Sequence, residues 1–260
     1  MSDVGEADVG VVKVSCAQVS AVGLEPVEDE VAREEAYEIR VGGEVLAITM
    51  RTPGHDAELR AGFLWAEGYG AEESGTTGIQ RVKRGTLSSA ACGVCGRDTI
   101  ADLVERLEPV PSEATFESSI IASITERLRA HQPNFARTGG LHAAALLDAS
   151  GAFLTVREDV GRHNAVDKVV GRAVLDGRLP LSEHVLAVSG RTSFEIVQKA
   201  VAAGIPALVA VSAPSSLAIE LAARFRVLLV GFARSVSFKV YASAFRLRGL
   251  KDPAGRGVPT

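Results

Sequence analysis

Cys92 and Cys95 stand at C-x-x-C spacing in the run Cys92-Gly93-Val94-Cys95-Gly96. Cysteine acts as nucleophile or metal ligand through its thiolate, and a nearby cation or helix N-terminus lowers its pKa by about one to five units. Arg97 follows the motif at once, and Arg81, Lys83 and Arg84 lie just upstream. The glycines leave both sulfurs open and admit backbone conformations that a side chain forbids. The pair fits two chemistries, a reactive thiol or part of a metal site shared between chains. A structural zinc site normally takes four Cys or His ligands. The remaining cysteine, Cys16, falls in an apolar alternating segment that reads as a buried strand, where a thiol is a small hydrophobe. A thioredoxin-like dithiol carries βαβ context, but Gly85 to Ala91, ahead of the pair, reads as a loop.

A second group of polar residues follows predicted strands. Its four runs are Glu158 to Asn164, Ser189-Gly190-Arg191-Thr192-Ser193, Ser212-Ala213-Pro214-Ser215-Ser216, and Gly231-Phe232-Ala233-Arg234-Ser235. In open α/β sheets ligands bind beyond the carboxyl ends of the strands, where helix N-termini offer free N–H groups to anions. Three of the runs open helices, and Arg162, Arg191 and Arg234 can fork onto phosphate. Together they predict a site for a phosphate-bearing ligand, most simply a nucleotide. Taken singly they are blander: Ser215 as a helix cap beside a proline, Arg191 as a surface charge, Asp159 and His163 as a local ion pair. His163, set among Asp159, Arg162, Asn164, Asp167 and Lys168, reads as a ligand-positioning residue. His142 either faces the same cleft or is a satisfied core histidine.

Two regions must position these residues. In the first, Val11 to Ser15 and Ala36 to Val41 alternate as strands, and Gly42-Gly43 makes a hairpin turn into Val45 to Met50. Asp56 is the predicted N-cap of a helix over Ala57 to Glu67, closed by Gly68. Gly75 to Gly78 reads as a joint, Ile79 to Lys83 as a short strand, and Thr99 to Leu107 as the helix after the cysteines. Pro109 and Pro111 mark a boundary. Beyond it come a helix from Ser118 to His131, with His131 a C-terminal cap, and strands Ala143 to Leu147 and Phe153 to Arg157. Helices Arg162 to Leu175, Ser193 to Ala203 and Ser215 to Arg224 then alternate with strands Val185 to Val188, Ala207 to Val211 and Val227 to Val230. That alternation predicts parallel strands covered on both faces, with Val236 to Tyr241 as an edge strand. The organisation is a flexible tail 1–10, a β-rich lobe 11–110 holding the C-x-x-C loop, an α/β lobe 111–250 for a nucleotide cofactor, and a tail 251–260.

Composition bounds the rest. The chain has 260 residues, 47% of them apolar, and a net charge of −4. An acidic balance predicts no broad nucleic-acid footprint. The first ten residues lack an apolar stretch, which predicts no secretory leader, and no run of eighteen apolar residues predicts a membrane span. With three cysteines and no disulfide framework, the expected setting is the reducing cytoplasm.

With these residues in view, the chain resembles the FdhD family, the sulfurtransferase accessory proteins required for formate dehydrogenase activity. The likeness rests on Thr52-Pro53-Gly54, Gly62-Phe63-Leu64, Glu67-Gly68, the Cys92 to Gly96 run, Thr138 to Ala144, the long run Glu158 to Lys168, Ser189-Gly190-Arg191, Ser212-Ala213-Pro214 and Gly231-Phe232. The resemblance implies a cytidine-deaminase-like α/β fold, a three-layer α/β/α core, and a homodimer. It also implies receipt of persulfide sulfur from a cysteine desulfurase and its transfer to the molybdenum bis(molybdopterin guanine dinucleotide) cofactor of a formate dehydrogenase catalytic subunit. The persulfide then belongs on Cys92. Cys95 either assists, forms a protective disulfide or does neither. The segment Phe232, Ala233, Arg234, Ser235, Val236 and Ser237 matches the stretch assigned to the cofactor's nucleotide, so GDP is an expected occupant. Ser189, Gly190, Arg191, Ser212, His163 and Asn164 complete the expected site.

Two rivals belong to other classes. One is a non-catalytic chaperone that binds and delivers the molybdenum cofactor. The other is a zinc deaminase, which the sequence disfavours because the H-x-E and P-C-x-x-C signature is missing.

Overall fold

The computed structural model describes residues 9–69, 104–105, 107–235 and 237–250. The expectations for residues 70–103, including the joint, the short strand and the C-x-x-C loop, lie outside the described residues, as do both tails up to residue 8 and from residue 251. Of the expected helix Thr99 to Leu107, only Val104, Glu105 and Leu107 are described. Val104 and Glu105 are helical, and Val104 is buried in the core.

The first two strands, β1 (Val11–Ser20) and β2 (Gly23–Ala32), pair antiparallel from Val11↔Ala32 to Ser20↔Gly23. Residues 15–26 of this hairpin are all exposed. Cys16 is therefore exposed, not buried as its segment suggested: the strand has one neighbour, and among the described residues nothing covers either face of the ribbon over residues 15–26. β3 (Glu35–Val41) and β4 (Glu44–Arg51) form a second hairpin across Gly42 and Gly43. Both glycines have positive φ, 58° and 85°, as a two-residue turn of the primed type requires.

Helix α1 (Asp56–Ala66) starts one residue earlier than expected. Its N-cap is His55, in the left-handed region at φ 57°, and Asp56 instead places a carboxylate in the first turn. Leu59 and Leu64 are buried, and Gly68 follows the helix end with φ 84°. Trp65 Nε1 donates to Ala202 O at 2.7 Å and Gln198 Nε2 to Ala66 O at 2.6 Å, which pins the end of α1 to the later part of the chain.

Beyond it, the short β5 (Phe116–Glu117) leads into α2 (Ser118–Arg129) and the single-turn-and-a-half α3 (Pro133–Thr138). His131 lies beyond the end of α2, and its ring stands 4.6 Å from that of Phe153. Then come β6 (His142–Leu147), β7 (Phe153–Asp159), α4 (Arg162–Leu175), β8 (Val185–Val188), α5 (Phe194–Ala202), β9 (Ala207–Ala210), α6 (Ser216–Arg224), β10 (Leu228–Arg234), β11 (Ser237–Ala242) and β12 (Leu247–Arg248). A six-stranded sheet runs in the order β11-β10-β9-β8-β6-β7. Its centre, β8-β9-β10, is parallel, and β6, β7 and β11 join it antiparallel to their neighbours.

Both faces of the sheet are covered. Val166, Val169, Ile196, Val197 and Leu221 of α4, α5 and α6 pack on Leu146, Leu186, Leu208 and Leu229. Ile121, Ile124 and Leu128 of α2 pack on Ala145, Ala187, Val209 and Val230 of the other face. All residues of β8 and β9 are buried, the signature of parallel strands between two layers. α1 lies on α4 outside this core, through Gly62 and Gly171.

A cleft at the carboxyl end of the sheet

Because β6 opposes both β7 and β8, β7 runs parallel to β8, β9 and β10. The segments after these four strands therefore meet at one end of the sheet, joined there by the start of β6 and the start of β11. The four polar runs read from the sequence lie at that end. So does His142, as the first residue of β6.

A cleft of about 550 Å³ opens here on the α2 side. Its walls are Thr125, Glu126 and Arg129 of α2, Gln132 and Phe135, Gly139 to His142, Ser189, Val211, and Ala233, Arg234 and Ser235. Of the residues expected from the sequence, Ser189, Ala233, Arg234 and Ser235 line it. Phe232 sits beside them with φ 51°, a conformation that costs a bulky side chain of order 1 kcal/mol or more. Its N–H donates to Ser212 O at 3.2 Å, and Lys239 Nζ lies 4.9 Å over its ring. Gly231 keeps the backbone close just before it, since a Cβ there would stand 3.0 Å from Ser212 O and from Tyr241 and would push on both. Ser237 pairs with Arg234 across the β10-β11 irregularity, and Val236 lies outside the described residues.

Gly190 packs against His142 of the cleft wall, where a Cβ would stand 3.3 Å from Nδ1, and Arg191, the next residue, is exposed. Ser189 Oγ accepts from Ala143 N at 2.8 Å, which fixes the loop to β6. His163 and Asn164 are buried in internal contacts. His163 Nε2 is 3.0 Å from both Glu195 Oε2 and Ser193 Oγ. Asn164 Nδ2 donates to Met50 O at 2.7 Å and to Asp159 Oδ1 at 3.0 Å, while its Oδ1 accepts from Thr49 Oγ1. The blander alternative of an Asp159 and His163 ion pair is not formed; two others stand instead: Lys168 Nζ lies 2.7 Å from Asp159 Oδ2, and His163 takes Glu195. Burial works against the Glu195 carboxylate, but His163, Lys199 and Arg162 hold it below its usual range.

Asp159 and Lys168 join the cleft to the first region of the chain. Asp159 Oδ2 accepts from Thr52 N, its Oδ1 accepts from Gly161 N, and Lys168 Nζ donates to Thr52 O at 2.8 Å. Much of the Glu158 to Lys168 run thus fastens Thr52 to the start of α4. Glu158 has another task. Its two oxygens accept from Asn134 N at 3.0 Å and Phe135 N at 2.7 Å, at the start of α3, although burial raises its pKa. It thereby fixes the turn that leads to Gly139 and Gly140 on the cleft wall.

The α2 wall was not anticipated. Thr125, Glu126 and Arg129 look in sequence like the solvated face of an amphipathic helix. Thr125 Oγ1, however, donates to Ala233 O at 2.8 Å and holds that face against β10. Arg129 lies 5.2 Å over the Phe135 ring. The Ser-Ala-Pro-Ser-Ser run behaves as a helix start, Ser215 Oγ accepting from Ala218 N.

The matching family model, described as the FdhD/NarQ family, spans residues 32–248. The chain belongs to the FdhD/NarQ family. It is 46% identical over 278 residues to the sulfur carrier protein FdhD of Streptomyces coelicolor, covering 94% of this chain and 97% of the relative. It is 48% identical over 263 residues to that of Anaeromyxobacter dehalogenans, covering 87% and 91%. A solved structure described as a candidate formate dehydrogenase accessory protein from Desulfotalea psychrophila superposes with a TM-score of 0.75 at 27% identity, over 92% of this chain and 99% of that one. No described helix is long and apolar enough to cross a membrane.

Proposed function

We propose that this FdhD/NarQ chain is a sulfur carrier serving a formate dehydrogenase in the cytoplasm. It takes persulfide sulfur from a cysteine desulfurase onto Cys92 and delivers it to the molybdenum bis(molybdopterin guanine dinucleotide) cofactor, its cargo. Near-full-length likeness to sulfur carrier proteins carries this reading. The cleft supports its second half: about 550 Å³ is within the range of small-molecule sites. Among its walls Arg129 and Arg234 are guanidiniums suited to phosphate, with Ser189 and Ser235 beside them. The segment 232–237 supplies one wall of this nucleotide site, and Gly190, Arg191, Ser212, His163 and Asn164 support its floor. The reading includes a cytidine-deaminase-like layering and a homodimer.

The chemistry balances in two steps. Cys92 thiolate attacks the terminal sulfur of the donor persulfide; the new S–S bond forms as the donor's breaks, and the donor cysteine leaves as thiolate. Release of that sulfur as sulfide consumes two electrons. Cys95 thiolate supplies them by attacking Cys92 Sγ, so that hydrosulfide departs toward molybdenum and a Cys92–Cys95 disulfide remains for a thiol reductant to reopen. Cys92 stands twelve positions before Val104, and a chain of that length reaches at most about 40 Å.

Intact-protein mass spectrometry after incubation with an active cysteine desulfurase and cysteine tests the first step. A reductant-sensitive gain of one sulfur, lost in Cys92→Ala and retained in Cys95→Ala, is expected. No gain on the wild-type chain would leave a cofactor-holding chaperone in its place.

A further inference from the structure

Helix α3, Pro133–Thr138, is too short to hold itself together in water. Its N-cap residue, Gln132, gives it no side-chain bond, and Pro133 at the first position has no N–H to offer. The first free donors are therefore Asn134 N and Phe135 N. Both end on Glu158 of β7, at 3.0 Å on Oε2 and 2.7 Å on Oε1, so a carboxylate from a distant element serves as the cap. At the other end Gly139 N donates to Phe135 O, while Thr138 Oγ1 donates to Asn134 O and accepts from Gly140 N at 3.2 Å. The two residues that Glu158 holds thus carry the chain into Gly139 and Gly140 of the cleft wall.

Phe135 extends this connection to a charge. It lines the cleft, and the Arg129 guanidinium, on the same wall, lies 5.2 Å over its ring. Stacking on an aromatic face holds a long side chain in one place. The order of contact is Glu158 carboxylate, Phe135 backbone, Phe135 ring, Arg129 guanidinium. Among the described residues no cation pairs with the Glu158 carboxylate. Those of the neighbouring elements are committed elsewhere: Arg157 to Glu58, Lys168 to Asp159, Arg137 to Glu30. Lys168 reaches only the main-chain oxygen of Glu158, at 3.5 Å, and His142 on the paired strand stands opposite Asp159. Burial raises the Glu158 pKa above 4.5, with the two N–H bonds acting against it. The ionised carboxylate accepts both bonds; the protonated one turns its O–H towards one N–H and keeps the other.

We propose that Glu158 is a positioning residue of the cleft: ionised, it caps α3 and through Phe135 sets the Arg129 guanidinium for the bound ligand. Protonation loosens that wall, so the cleft releases its ligand in acid. The inference rests on the cleft being the nucleotide site of the proposed function. Because the carboxylate is the binding form, affinity is full above the Glu158 pKa and is lost as the pH falls through it toward 4.5.

The test titrates GDP into the full chain. Glu158→Gln has the shape of the acid and keeps an acceptor for one N–H only. At pH 7 it should bind GDP about tenfold more weakly than the wild type, as loss of a charge-assisted hydrogen bond gives. The ratio of the two affinities should shrink toward one as the pH falls to 4.5; ionisation of GDP itself cancels in that ratio. Glu58 keeps its charge throughout, its pKa being about 2. Phe135→Leu keeps both N–H bonds and removes the ring under Arg129. It should weaken GDP to a similar extent, and adding Glu158→Gln to it should cost little more. A readout without ligand follows the Phe135 N–H and Arg129 Nε–H resonances, which should titrate together in the wild type and not in Glu158→Gln. The inference is overturned by a Glu158→Gln affinity equal to that of the wild type, by a ratio that is constant with pH, or by an Arg129 signal that ignores Glu158. Failure of the wild type to bind GDP would remove the nucleotide reading of the cleft, while the wild-type resonances would still decide whether Glu158 sets Arg129, so the two can fail separately.

Discussion

Gly62 on α1 and Gly171 on α4 meet so closely that a Cβ on Gly171 would stand 1.8 Å from the Glu58 carbonyl oxygen, and one on Gly62 2.0 Å from that of Asp167. Both obstacles are backbone atoms, so no flexible side chain can give way. This crossing seats the first region of the chain on the helix whose first turn carries Arg162 and His163. Gly171→Ala should force the helices apart and cost about 3 kcal/mol. The measurement is a urea midpoint with its slope. A loss below about 1 kcal/mol would show that the two helices can slide without penalty.

The pair of Asp159 and Lys168, 0% and 1% exposed, is the second connection between the same regions. Removing one partner leaves an uncompensated buried charge, which costs about 3–5 kcal/mol. Lys168→Met should therefore be severe, and the double variant Asp159→Asn, Lys168→Met should be more stable than Lys168→Met alone. A double-mutant cycle reads this directly. Simple addition of the two single losses would count against the pair as a coupled lock.

The parts of this fold that are buried on one periodic stripe were legible. α4 and β8 have the bounds that their apolar patterns indicate, since Val166, Val169 and Val170 face one layer and Val185 to Val188 are enclosed by two. β2 was not legible: Glu25, Pro26, Glu28 and Asp29 leave Leu24, Val27 and Val31 without a period-two pattern, and among the described residues nothing covers residues 15–26 of the hairpin. α3 was missed for a different reason. Its start is held by Glu158, over twenty residues further along the chain, and no local pattern encodes that contact.

The site divides in the same way. The loops after β7 to β10 could be placed at one end because strand alternation dictates their direction. Glu126 and Arg129 could not be placed, since polar residues on an amphipathic helix look alike whether they face water or a cleft. Asn164 shows the converse. A polar residue at a helix start suggests a ligand, yet every bond it makes here ends on Met50, Asp159 or Thr49.

Glu58 gives the fold a pH dependence. Burial opposes its charge, but Arg157, bonded at 2.6 and 2.8 Å, and His55 bring its pKa from 4.5 down to about 2. A folded pKa below the unfolded one stabilises the fold above about pH 4.5, and that contribution disappears as pH falls towards 2. Glu58→Gln should cost roughly 2 kcal/mol at pH 7 after allowance for solvent screening of the half-open cluster. The gap between variant and wild type should narrow between pH 4.5 and 3. Chemical denaturation across that range measures it, and a gap of constant size would assign the loss to packing instead of charge.

Arg234 offers the most direct access to the cleft. It lines the cavity without a described ion-pair partner, so its charge is available to a phosphate. Arg234→Gln should weaken GDP binding by about tenfold or more, the value of a charge-assisted hydrogen bond being about 1.5–3 kcal/mol. Guanosine, which lacks the phosphates, should bind the variant and the wild type alike. Thr125→Val loses the bond to Ala233 O that holds α2 against β10; it should weaken both ligands to a similar extent, because it loosens a wall and leaves the charge intact. Calorimetric titration of the two ligands against the two variants separates these effects. Equal losses for GDP and guanosine in Arg234→Gln would place the phosphates elsewhere and reduce Arg234 to a structural part of the wall.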